Sequence, residues 1–283
     1  MNKLSWIWAK IPVIIRAIIV GMLVQILGIM PIFLLLQKNV QIWNQLPWAF
    51  PVGILYLWFF VNYIRGKGWP KSTISSRKEF FRVNSMGSSV QFWAIISGGL
   101  FSITLAGMII WGWLFTEWPL EQIEQLKTFA ECPKWTILPL LFMAVLATGI
   151  IEESSYRGYM QVPIEKRHNP TVAIIIVAIV FAVSHPLPNA ILPFFIIGSL
   201  GWGVLAYLSN SNLPGMIVHT MVDLTFFTWG LYNFDTLETM QRYSVLNSGF
   251  SFLFVLTVSA SIVFGAATIF SFIKLAKVNK NLN

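Results

Sequence analysis

Glu152, Glu153 and Arg157 follow directly on the apolar run from Ile137 to Ile151, His185 closes a second apolar stretch, and His219 and Asp223 lie within a third. A carboxylate beside an imidazole can deprotonate a water. Two imidazoles with a carboxylate are also a common first shell for zinc with an open position. The spacings put partners on one helix face: Glu153 with Arg157, Phe181 with His185 and His219 with Asp223 are each i and i+4. Pairing of Glu153 with Arg157 leaves Glu152, about 100° round the helix, free to face a cavity. Each feature alone also has a plain packing reading, because a buried Glu–Arg pair can simply lock two helices and a lone histidine can be a satisfied core residue. Together they place two carboxylates and two imidazoles on three helices, an assembly costly to hold in a bilayer without a use.

The elements that must position these groups are membrane helices. Hydrophobic residues make up 56% of the 283, charged residues only 11%, and mean hydropathy is +0.70, values that a water-soluble domain could not carry without large exposed apolar patches. Runs of about 20 apolar residues suit helices that cross ~30 Å of hydrocarbon, and not a barrel. The expected fold is therefore all-α, a polytopic bundle of about eight spans in a single integral membrane domain over 1–283. The spans fall near 17–36, 46–64, 90–115, 135–162, 171–185, 191–208, 214–232 and 249–273. Pro163 is the expected stop of the fourth, Asn169-Pro170 the start of the fifth, and Pro186 and Pro188 its end.

The net charge of +8 does not point to nucleic acid, because the basic residues sit in short loops beside apolar runs, where they set topology and meet anionic headgroups. Arg65, Lys67, Lys71, Arg77, Lys78 and Arg82 crowd one loop. With Lys3, Lys10, Arg16, Lys166, Arg167 and the lysines of the C-terminal tail, they place both termini in the cytoplasm, against only Lys38, Lys127, Lys134 and Arg242 outside. In the outer loop Leu120, Ile123, Leu126 and Phe129 recur at near-helical spacing, which fits either a short interfacial helix or a solvated loop. The single Cys132 excludes an internal disulfide and a paired-cysteine metal site. No H-E-x-x-H is present, and Ser154 and Ser155 lack the G-x-S-x-G context of a nucleophilic serine.

Glu152-Glu153-x-x-x-Arg157-Gly158, then Phe181-x-x-x-His185, then His219-x-x-x-Asp223, in that order on successive helices, resembles the CPBP family of intramembrane endopeptidases. That family includes CAAX prenyl proteases and proteins linked to bacteriocin self-immunity. The resemblance covers a core of about 136–232. It implies that Glu152 and His185 activate the attacking water, that Glu153 and Arg157 hold the site together with Phe181 in support, and that His219 and Asp223 stabilise the oxyanion or complete the polar shell. It leaves open a divalent metal such as zinc, for which Glu152, His185 and His219 are the natural ligands, and a metal-independent glutamate mechanism. Implied partners are a peptide or protein substrate at the membrane and the lipid bilayer; the implied setting is a bacterial cytoplasmic membrane. Asp223 stands where the family commonly has Asn, and Ser154-Ser155-Tyr156 where it often has apolar residues and Phe. The rival class is a transporter-like proton or ion relay, or an immunity or partner-binding scaffold, built on the same cluster. One geometric demand follows: Glu152 and His185 meet only if the fourth helix is long or tilted, with the cavity then opening toward the cytoplasm.

Overall fold

The computed structural model describes residues 8–114, 127–185, 192–232, 245 and 249–280, which are helices joined by short links, with no strand among them. The principal helices are α1 (Val13–Ile42), α2 (Ala49–Ile64), α3 (Ile74–Phe81), α4 (Ser88–Leu114), α5 (Lys134–Glu152), a π-helical segment (Glu153–Met160), α6 (Gln161–Arg167), α7 (Pro170–Val183), α8 (Leu192–Ser209), α9 (Leu213–Tyr232) and α10 (Phe252–Lys280). Helices thus occupy all eight expected stretches. Five are long and apolar enough to cross a membrane: α1, α4, the continuous unit 134–167, α8 and α10, while α2 and α7 are shorter apolar helices. In α10 only 11% of the apolar window is buried within the protein, so most of its side chains need lipid to cover them, as an integral membrane protein requires. The turns expected at Pro186 and Pro188, and most of the proposed outer-loop helix, lie outside the described residues.

Pro163 does not end the fourth helix. The chain passes from α5 through the π segment into α6, which contains Pro163 and runs to Arg167. Pro163 is the third residue of α6, in the first turn, where its missing N–H and fixed φ are tolerated. The result is one unit of 34 residues, the long helix that the meeting of Glu152 with His185 demands. Glu152 lies as far before Arg167 as His185 lies beyond Pro170, so a tight turn between α6 and α7 sets the two at similar height. Asn169 caps α7 by accepting a hydrogen bond from the Val172 N–H at 2.9 Å, with Pro170 as the first helical residue, as the sequence leads one to expect.

The long unit is surrounded. α9 packs on α5, α1 on α5 and the π segment, α3 on the π segment, and α7 on α6, while α4 and α10 form an outer pair behind α8 and α9. Small residues permit the closest approaches. A Cβ on Gly149 would overlap the Thr220 hydroxyl and come within 2.9 Å of the Thr220 backbone nitrogen. That contact seats α9 against α5 one turn before the two glutamates. α3, within the basic loop, is tied to the bundle by Asn212, whose amide donates to the carbonyls of Phe81 at 3.1 Å and Glu153 at 3.2 Å. Arg77 organises the loop itself, donating to the carbonyls of Lys67 at 2.8 Å and Gly68 at 3.1 Å.

Gly149→Ala is expected to destabilise by about 1–3 kcal/mol through overpacking, lowering the thermal midpoint of the purified protein in micelles. Gly99→Ala, where an added Cβ meets nothing within 4 Å, is expected to leave the midpoint unchanged or raise it.

Candidate active site

Glu152 ends α5, and its carboxylate is the centre on which three other helices converge. Its Oε1 lies 4.0 Å from His185 Nε2 and its Oε2 3.9 Å from His219 Nε2. His219 Nε2 is in turn 3.6 Å from Asp223 Oδ2. Both rings are anchored from behind: His185 Nδ1 is 2.7 Å from the Phe181 carbonyl and His219 Nδ1 is 3.0 Å from Glu153 Oε1. A carbonyl or carboxylate can only accept, so each Nδ1 carries a proton and each Nε2 is turned toward Glu152. Separations of 3.6–4.0 Å are too long for direct hydrogen bonds and suit groups that share a bridging water.

Behind this first layer is a fully buried ion pair. Arg157 and Glu153 are both 0% exposed, with Arg157 Nη1 3.5 Å from Glu153 Oε1. That contact is electrostatic: Arg157 Nε and Nη1 and Glu153 Oε2 make no hydrogen bond among the described residues. Arg157 Nη2 donates to Ser199 Oγ at 3.2 Å, and the guanidinium carbon sits 4.8 Å from the centre of the Phe181 ring, within cation–π reach. Phe181 also touches the His185 ring, with centres 4.4 Å apart. Glu153 therefore holds two partners, Arg157 on its own helix and His219 on α9. The π turn carries these groups; such wide turns recur at functional sites.

The sequence singles out Glu152, Glu153, Arg157, Phe181, His185, His219 and Asp223, and all are brought together here. It does not single out the residues that hold them. Thr148 donates to Asp223 Oδ2 at 2.9 Å, Trp202 stacks on His219 at 5.6 Å with planes 9° apart, and Gln25 donates to Glu152 Oε1 at 3.2 Å. Of these only Gln25 leaves a trace in sequence, as a lone amide within a long apolar span. The donor types of Glu152, His185 and His219 suit zinc, yet no three His, Cys, Asp or Glu side chains among the described residues converge tightly enough to hold a metal ion.

Residues 134–225 match the family model for Rce1-like, type II CAAX prenyl endopeptidase. The matched stretch is 92 of the 283 residues, about a third of the chain, and over it the chain is similar to that family. The matched stretch runs from the start of α5 into α9 and contains all seven residues named from sequence, while α1, with Gln25, lies outside it. A search of curated proteins and a search of solved structures found no match.

Arg157→Ala would leave Glu153 buried without its countercharge, a loss of about 3–5 kcal/mol. The expected outcome is a sharp fall in thermal midpoint or in recoverable folded protein. The double variant Glu153→Gln/Arg157→Met, which removes both charges, is expected to recover part of it.

Proposed function

We propose that the chain is an intramembrane endopeptidase of the bacterial cytoplasmic membrane, hydrolysing a peptide bond in a membrane-associated or membrane-proximal substrate with water activated by Glu152 and His185. The observation that carries the reading is the placement of the Glu152 carboxylate between two imidazoles, at 4.0 Å and 3.9 Å, each with Nδ1 anchored from behind. A water between Glu152 Oε1 and His185 Nε2 can donate one hydrogen to each acceptor. That leaves its lone pair directed away from both, toward a carbonyl carbon.

The reaction then proceeds in two steps. Glu152 takes one proton as the water oxygen bonds to the carbonyl carbon, and the electron pair of the C=O moves to oxygen. His219, with a proton on Nε2, can donate to that oxyanion, and Asp223 completes the polar wall, held by Thr148. Return of the proton from Glu152 to the amide nitrogen lets the C–N bond break, giving a new carboxylate and a new amine. Glu153 and Arg157 touch none of the reacting atoms in this scheme; they fix the height and tautomer of His219.

The test uses purified protein in proteoliposomes with fluorogenic peptides, one farnesylated and ending in a CAAX sequence and one unlipidated. Glu152→Gln keeps size and loses the base. It is expected to lower the cleavage rate about 100- to 10,000-fold, the range attributable to a general base, with the thermal midpoint close to wild type. Cleavage by Glu152→Gln at the wild-type rate would sink the assignment, and an absence of any cleavage by wild type would favour a relay or scaffold role instead.

A further inference from the structure

α1 lies outside the stretch that matches the protease family, yet it presents one polar side chain to the site. Gln25 stands in the run Leu23-Val24-Gln25-Ile26-Leu27, where a side-chain amide has no use for lipid. Gly21 and Gly28 flank it at i−4 and i+3, on the same helix face. A Cβ on Gly21 would come 2.8 Å from the Met160 methyl carbon, and one on Gly28 2.5 Å from a methyl of Ile151. The Gly21 carbonyl also accepts a hydrogen bond from Ser155 Oγ at 2.8 Å. The two glycines therefore bring the α1 backbone against the site helix on either side of Gln25. The amide that sits between them donates from Nε2 to Glu152 Oε1 at 3.2 Å. The orientation is set by chemistry, because a carboxylate can only accept.

The same helix supplies a contrast. Asn39 uses its whole amide for architecture, donating to the carbonyls of Trp43 at 3.1 Å and Leu46 at 2.9 Å and accepting from the Ala49 N–H at 2.8 Å, which closes the α1–α2 link. Gln25 ties no backbone, and its hydrogen bond goes to the one carboxylate that faces both imidazoles. Its Oε1 is buried without a protein partner among the described residues.

We infer that Gln25 is a positioning residue for Glu152: its amide holds the carboxylate rotated so that Oε1 faces His185 and Oε2 faces His219, making α1 part of the active centre. The inference rests on the peptidase reading, since it gives Glu152 the role of base. A free carboxylate turns about its terminal bond with little resistance. A charge-assisted hydrogen bond from a side chain wedged by two helix contacts removes that freedom before substrate arrives.

The decisive variant is Gln25→Met, unbranched, of similar length and at home in a lipid-facing helix, assayed beside wild type and Glu152→Gln with the same peptides in proteoliposomes. The expected result is a fall in kcat of about 10- to 100-fold, the range of a hydrogen bond to a charged group. KM should stay within about twofold, because the bond acts on the base and not on the substrate. The thermal midpoint should not fall, because no backbone or packing contact depends on the amide. A kcat within about twofold of wild type, a rise in KM at constant kcat, or a fall in midpoint that parallels the loss of activity would each overturn the role given to Gln25. If Glu152→Gln is inactive while Gln25→Met retains wild-type kcat, the peptidase reading stands and only this inference fails. If Glu152→Gln is active, the reading beneath it fails.

Discussion

A carboxylate with no exposure to solvent keeps its charge inside a lipid-surrounded bundle only where an opposite charge is fixed against it, and for Glu153 that charge is Arg157. Both side chains are fully buried, and their contact spans the π turn, with Ser199 on α8 and the Phe181 ring on α7 closing round the guanidinium. Glu153 in turn fixes Nδ1 of His219 on α9. One ion pair thereby sets the relative positions of α5, α7, α8 and α9. The site in front of it inherits that geometry.

The two adjacent glutamates divide the work because they fall on different sides of the helix. Glu153 faces inward to Arg157 and His219, and Glu152 faces a space shared with His185, His219 and Asp223. What keeps Glu152 from simply pairing with one histidine is the anchoring of both rings from behind. Held this way, Nε2 of His185 and of His219 stand 4.0 Å and 3.9 Å from the Glu152 carboxylate, beyond a direct hydrogen bond and one water apart. The glycines make this arrangement possible at the level of the backbone: Gly149 admits α9, and Gly21 and Gly28 admit α1.

Much of this was legible in the chain. Apolar runs located the long helices among the described residues, and i, i+4 spacing put Arg157 beside Glu153. The demand that Glu152 meet His185 foretold a long fourth helix. The missed features share a cause. Pro163 read as a stop because a local rule cannot see that the π segment restarts the helix and puts the proline in a first turn. Thr148, Trp202 and Gln25 gave no motif because their partners, Asp223, His219 and Glu152, lie 75, 17 and 127 residues away, and such contacts are set by which helix faces meet. The role of Glu153 as anchor for His219 was hidden in the same way, since spacing reports only neighbours on one helix.

The central claim is that Glu152 and His185 jointly hold the attacking water. It is tested most directly by an experimental structure in a lipid environment, at a resolution that shows ordered water, with a non-cleavable peptide analogue bound. The account predicts a water within about 3 Å of both Glu152 Oε1 and His185 Nε2, with the peptide carbonyl carbon on its far side and His219 beside the carbonyl oxygen. Glu152 and His185 facing separate cavities, or a peptide bound away from the space between them, would contradict it.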